Sequence, residues 1–268
     1  APLYLIAVPI GLLLLRKVPA KPLEKHDLKP SRYIVTVIIC IFMMYAGNIL
    51  GTIITALLQL LPGVSAGNPI LGYATDNALL PKVLFMVILA PVIEEYIFRK
   101  QLIDRMHIYG EKLAVVTSAL MFGLFHGNLS QFFYAFALGL VFGYVYLKTG
   151  KLRYSIGLHM LINLLGSVVG PFFLEKVAVV DTMENMDLAA LEPVMPWLIA
   201  FGAYVLVLIG LAIAGLVLLC LNKRKVSFAP AEMELPKGTR IKTAYVNAGM
   251  ILLTIGCMAL IVASVIQL

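Results

Sequence analysis

Long apolar runs separated by short polar connections set the pattern of this 268-residue chain. The runs fall at about 3–15, 33–61, 83–98, 113–127, 130–147, 154–174, 195–221 and 244–267. A bilayer core about 30 Å thick takes roughly 20 apolar residues per spanning helix. The pattern therefore predicts an all-α fold: one integral membrane domain over 1–268, a polytopic transmembrane bundle of about eight helices. Composition agrees, with 61% hydrophobic and 13% charged residues and a mean hydropathy of +0.97. That is more apolar surface than a soluble domain of this size buries, and it leaves no room for a separate soluble domain. The numbering opens Ala1-Pro2-Leu3-Tyr4, and its short first run is followed by Arg16 and Lys17. This suggests a trimmed start or a missing leader rather than a signal peptide, whose positive residues come first.

The net charge of +7 points to nucleic acid in a soluble protein, but its distribution points elsewhere. Of 21 Lys and Arg residues, six lie in 16–32, four in 99–112, three in 148–153 and six in 222–242. Lys82 and Lys176 alone occupy the alternate connections. This alternation predicts that the four basic connections are cytoplasmic, and it excludes nucleic acid as a partner. The acids Glu175, Asp181, Glu184, Asp187 and Glu192 suit an external loop. Cys40, Cys220 and Cys257 show no CxxC spacing and read as buried small hydrophobes. Asn128-Leu129-Ser130 matches a glycosylation sequon but is a poor acceptor so close to the bilayer. Gly47 and Gly51, Gly123 and Gly127, Gly139 and Gly143, and Gly166 and Gly170 are spaced for close helix packing.

Ionisable side chains inside a span cost about 2.5–3.5 kcal/mol each near its centre, so the few present need a reason. Glu94 and Glu95 close the third run, His126 ends the fourth, and His159 and Asn163 lie in the sixth. Glu95 and Arg99 are four apart, so they share a helix face and suit an ion pair with the acid on the N-terminal side. Glu94 lies about 100° around the axis and is expected to face the bundle interior as a general base. His159 and Asn163, also four apart, can enter one cavity. Each has a bland reading: a packed histidine, an interhelical amide, an interfacial acid. Their joint occurrence on three helices favours chemistry. Depth is the difficulty, because His126 lies 14 residues past Lys112 while Glu94 and His159 sit close to basic boundaries.

Glu94-Glu95-xxx-Arg99, Phe122-xxx-His126 and His159-xxx-Asn163 resemble the EExxxR, FxxxH and HxxxN/D signatures of the CAAX prenyl protease and bacteriocin-processing family, the CPBP or Abi intramembrane proteases. The resemblance covers about 70 residues, with a family-like core at about 81–174. It implies an intramembrane endopeptidase acting on a CAAX prenyl protein or a peptide precursor. Glu94 and His126 would activate water, His159 and Asn163 would stabilise the oxyanion, and Glu95, Arg99 and Phe122 would support the site.

No cofactor is favoured, since HExxH is absent and a metal would occupy the residues needed as base and donors. A divalent metal such as zinc stays open, with Glu94, His126 and His159 as its ligands. The expected partners are membrane lipid and a peptide or lipidated protein substrate. The expected location is the plasma membrane, with the site opening toward the cytoplasm. A non-catalytic scaffold or bacteriocin-immunity protein of the same fold is the alternative. A proton-coupled transporter is weakened by the lack of paired broken helices.

Overall fold

The computed structural model describes residues 5–6, 8–61, 64, 79–177, 192–233, 235–236 and 238–265. Each predicted apolar run forms helix over most of its described residues. α1 is Val8–Leu15 and α2 is Pro30–Leu58, which opens on a proline whose missing N–H costs nothing in a first turn. α3 spans residues 79–106 and changes winding along its length. Lys82–Leu89 and Tyr96–Gln101 are π-wound, and Ala90–Glu95 between them is α-helical. α4 is Glu111–Phe125, α5 Leu129–Thr149, α6 Leu152–Val177 and α7 Met195–Asn222. The short α8, Arg240–Tyr245, precedes α9, Ala248–Val265. Five stretches, built on α2, α5, α6, α7 and α9, are long and apolar enough to cross a membrane. The protein is an all-α integral membrane bundle.

α5 is the central helix, packed between α2 and α4. Its N-terminus is capped by Asn128, whose side chain accepts from the Gln131 N–H and the Ser130 hydroxyl. Asn128 is thus buried and consumed as a cap, which removes it as a glycosylation acceptor. α5 ends at Gly150, φ 60°, where a Cβ would lie 2.3 Å from the Glu24 carbonyl oxygen. Small residues allow the close approaches. A Cβ on Gly47 would meet the Tyr134 backbone at 2.3 Å, and one on Gly139 would meet the Ala119 Cα at 2.9 Å. The fourth small pair differs from expectation. Gly166 has nothing among the described residues within 4 Å, and Gly170 meets only the Leu165 carbonyl of its own helix.

α7 packs on α2 through Leu208 and Gly215 and turns most of its surface outward, as a lipid-facing helix does. Cys220 is exposed on it, whereas Cys40 and Cys257 are buried. The expectation of three buried cysteines therefore fails at the helix with the least protein around it.

The four basic connections gather at one end of the bundle. Residues 17–29 form an extended strap across it. Lys21 N–H donates to the Asp104 carbonyl, His107 Nε2 to the Lys21 carbonyl, His26 N–H to the Thr149 carbonyl and Leu28 N–H to the Tyr154 hydroxyl. Ion pairs Lys21–Glu232, Lys148–Glu111 and Lys151–Asp27 tie the same connections together. Hydrogen bonds from Lys151 and Tyr154 hold the exposed Asp27 carboxyl below its usual range. Asp181, Glu184 and Asp187 of the expected external loop lie outside the described residues.

Candidate active site

The sequence placed Arg99 and Lys100 in a connection, but α3 continues past both to Met106. The helix tolerates these charges because each has a partner one turn away. Arg99 Nε lies 3.0 Å from Glu95 Oε2, and Lys100 Nζ lies 2.6 Å from Asp104 Oδ2, whose other oxygen accepts from the Tyr146 hydroxyl. Glu94 consequently sits twelve residues inside α3, about 18 Å from its basic end at 1.5 Å per residue. His126, at the far end of α4, lies at a similar depth. The depth conflict came from ending the third helix one charged pair too early.

Glu94, His126, His159 and Asn163 line one cavity of about 300 Å³ between α3, α4, α5 and α6. Glu94 and His159 are 6% and 4% exposed, so their polar atoms face this cavity and each other rather than bulk solvent. His159 Nε2 lies 3.8 Å from Glu94 Oε2, and His159 Nδ1 lies 3.2 Å from Glu95 Oε1. Glu95 and Arg99 are both 0% exposed. Arg99 Nη1 also donates to Ser118 Oγ at 2.9 Å, and the Ser118 hydroxyl donates to the Phe98 carbonyl. The guanidinium lies 4.8 Å over the Phe122 ring, which meets both imidazoles edge-on. Phe142 stacks on His159.

Two backbone carbonyls orient the site. His126 Nδ1 lies 2.8 Å from the Phe122 carbonyl oxygen. A carbonyl only accepts, so the proton of the neutral ring resides on Nδ1 and Nε2 is left as the basic nitrogen. Asn163 Nδ2 donates to the Met86 carbonyl at 2.8 Å. That carbonyl is available because of the π-winding before it. The Ala90 N–H bonds to Phe85, and the next donor in register would be residue 91, a proline without an N–H. An orphan acceptor thus fixes which way the amide faces.

A catalytic zinc takes three protein donors at about 2.0–2.2 Å. Among the described residues no three His, Cys, Asp or Glu side chains cluster closely enough to share an ion.

Gln131, Tyr134 and Ser167 also line the cavity and were not singled out from sequence. Uncharged polar residues are common at helix ends, so only their spacing to the Asn128 cap and to Asn163 hinted at them. The lining residues also place the cavity along the bundle. Gln131 and Tyr134 lie in the first two turns of α5, and Phe85 and Met86 near the start of α3, all at the end away from the basic connections. Phe122, Phe142 and the Glu95–Arg99 pair stand between the cavity and the basic side.

Residues 76–165, which hold every motif residue at this cavity, match the sequence model of the type II CAAX prenyl endopeptidase Rce1-like family. This core is similar to that family over about a third of the chain. The membrane-embedded CAAX protease MroQ of Staphylococcus aureus (strain USA300) is 32% identical over 88 residues, 30% of this chain and 36% of the relative. The matched stretch thus spans about a third of that relative's length. No solved structure matches the chain. Within the matched stretch lie α3, α4, α5 and the first half of α6, while α2, which supports the cavity wall through Gly47, lies outside it.

Proposed function

We propose that the protein is an intramembrane endopeptidase that hydrolyses a peptide bond of a membrane-associated substrate, a CAAX prenyl protein or a peptide precursor, without a metal. The observation that carries this is the convergence of Glu94, His126, His159 and Asn163, from three helices, on one buried cavity. His126 presents a bare Nε2, and Glu94 lines the same cavity. Together they take a proton from water as its oxygen attacks the scissile carbonyl carbon. The C–N bond then breaks, and the same proton passes to the leaving amine. The second N–H of Asn163 and, when protonated, His159 Nε2 are donors for the oxyanion. Glu95, fixed by Arg99, holds the His159 ring in place.

The plasma membrane is the proposed location, with the basic end in the cytoplasm. The excess of Lys and Arg supports that orientation. The substrate then reaches the cavity from the bilayer or from the half of the bundle opposite the strap.

The test is cleavage of a library of farnesylated and unmodified peptides by purified protein in lipid nanodiscs, with and without chelator. Wild type is expected to cleave, and Glu94→Gln or His126→Ala to lower kcat about 10²- to 10⁴-fold, the usual worth of a general base. Cleavage surviving both substitutions refutes the site. Loss on chelation alone restores a metal mechanism, and no cleavage of any peptide favours a non-catalytic scaffold.

A further inference from the structure

An oxyanion is stabilised only by donors that are not already given away, and the signature residues have given most of theirs. In the neutral state His159 directs its Nδ1 proton at Glu95, leaving Nε2 an acceptor. His126 spends its proton on the Phe122 carbonyl, and Asn163 spends one of two amide protons on the Met86 carbonyl. One N–H of Asn163 is what the motifs still offer. Oxyanion sites elsewhere use pre-placed donors, each worth a large factor in rate.

Tyr134 lines the same cavity and belongs to none of the three motifs. Its hydroxyl oxygen accepts from Gln131 Nε2 at 2.9 Å, one helical turn earlier on α5. Among the described residues its own proton has no acceptor. α2 lies against the Tyr134 backbone at Gly47, so this turn of α5 cannot retreat from the cavity. Gln131 in turn is set by the Asn128 cap, which accepts its backbone N–H. A hydroxyl whose lone pair is filled by an amide, and whose proton is unspent, is oriented to donate.

We propose that Tyr134 is a catalytic oxyanion donor: its O–H, oriented by Gln131, hydrogen-bonds the scissile carbonyl oxygen of the substrate and strengthens as negative charge develops there. The proton stays on the tyrosine throughout. Gln131 is a positioning residue that acts through the hydroxyl. This inference rests on the peptidase reading above and adds a donor to it.

The experiment compares wild type, Glu94→Gln, Tyr134→Phe, Gln131→Leu and Gln131→Glu on one cleavable peptide in nanodiscs. kcat and KM are resolved, and thermal midpoints are recorded as a fold control. Tyr134→Phe, which keeps the ring, is expected to lower kcat about 10²- to 10³-fold with KM little changed, as removal of an oxyanion donor does. Gln131→Glu replaces a donor with an acceptor that captures the tyrosine proton, so it is expected to match Tyr134→Phe. Gln131→Leu leaves the hydroxyl present but unheld and is expected to lose less.

With wild type active and Glu94→Gln dead, a Tyr134→Phe enzyme within twofold of wild type overturns the proposal while leaving the peptidase. So does a loss confined to KM. If Tyr134→Phe has a lowered thermal midpoint, Gln131→Glu decides, and wild-type activity in it overturns the proposal. An inert wild type, or an active Glu94→Gln, overturns the peptidase reading and this inference with it.

Discussion

At the scale of single residues, adjacent glutamates have taken different environments. The 100° between successive helical positions puts Glu94 on the cavity and Glu95 against Arg99. The i, i+4 spacing made that division legible before any coordinates. The second partner of Glu95, His159 Nδ1, was not legible, because it comes from 64 residues away. The Met86 carbonyl that holds Asn163 was equally hidden, since backbone acceptors carry no residue type. Its only trace in the sequence is Pro91, five residues on, which removes a donor. With both members of the Glu95–Arg99 pair sealed from solvent, removing one strands a buried charge. Arg99→Leu is expected to destabilise the protein by about 3–5 kcal/mol, read as a lowered thermal midpoint in detergent. Glu95→Gln/Arg99→Leu, which removes both charges, is expected to recover much of that loss while disordering His159.

Among the elements, the long α2, α5, α6 and α7 were readable as uninterrupted apolar runs of membrane-spanning length. α3 was read too short. Charge normally ends a span, and although the Glu95–Arg99 pair was legible, the Lys100–Asp104 pair that carries the helix further was not read. Its two π-wound stretches were also invisible, because they arise from packing and from Pro91 rather than from any periodic signal. The small-residue pairs were partly informative: Gly47 and Gly139 mark contacts of α5 with α2 and α4, while Gly166 faces none among the described residues. Gly47→Leu tests that contact. Its side chain has no space against the Tyr134 backbone, so α2 and α5 must separate by more than an ångström. The expected result is a fall in thermal midpoint together with loss of cleavage, whereas Gly166→Leu leaves both within experimental scatter.

For the molecule as a whole, composition and alternating charge were enough to assign an all-α membrane bundle and to group four connections on one side. They were not enough to place the cavity along the membrane normal, which depends on where each helix starts and stops. Ser167 lies fifteen residues into α6 and lines the cavity toward the end away from the strap. In a background lacking Cys40, Cys220 and Cys257, Ser167→Cys is expected to react with a membrane-impermeant maleimide from the face opposite the basic connections. Labelling only from the basic face would restore the opening first expected.

The strap over the basic end also bears on how the chain is made. Its partners, from Asp104 to Tyr154 and Glu232, are 83 to 211 residues further along than the segments they hold. At about 5–20 residues per second of synthesis, Leu28 waits roughly 6–25 s before Tyr154 exists. During that interval the segment between α1 and α2 is unanchored, its backbone donors bonded to water. The latch is the last part of this end to close, and its closure records that α3, α5 and α6 have all arrived in register.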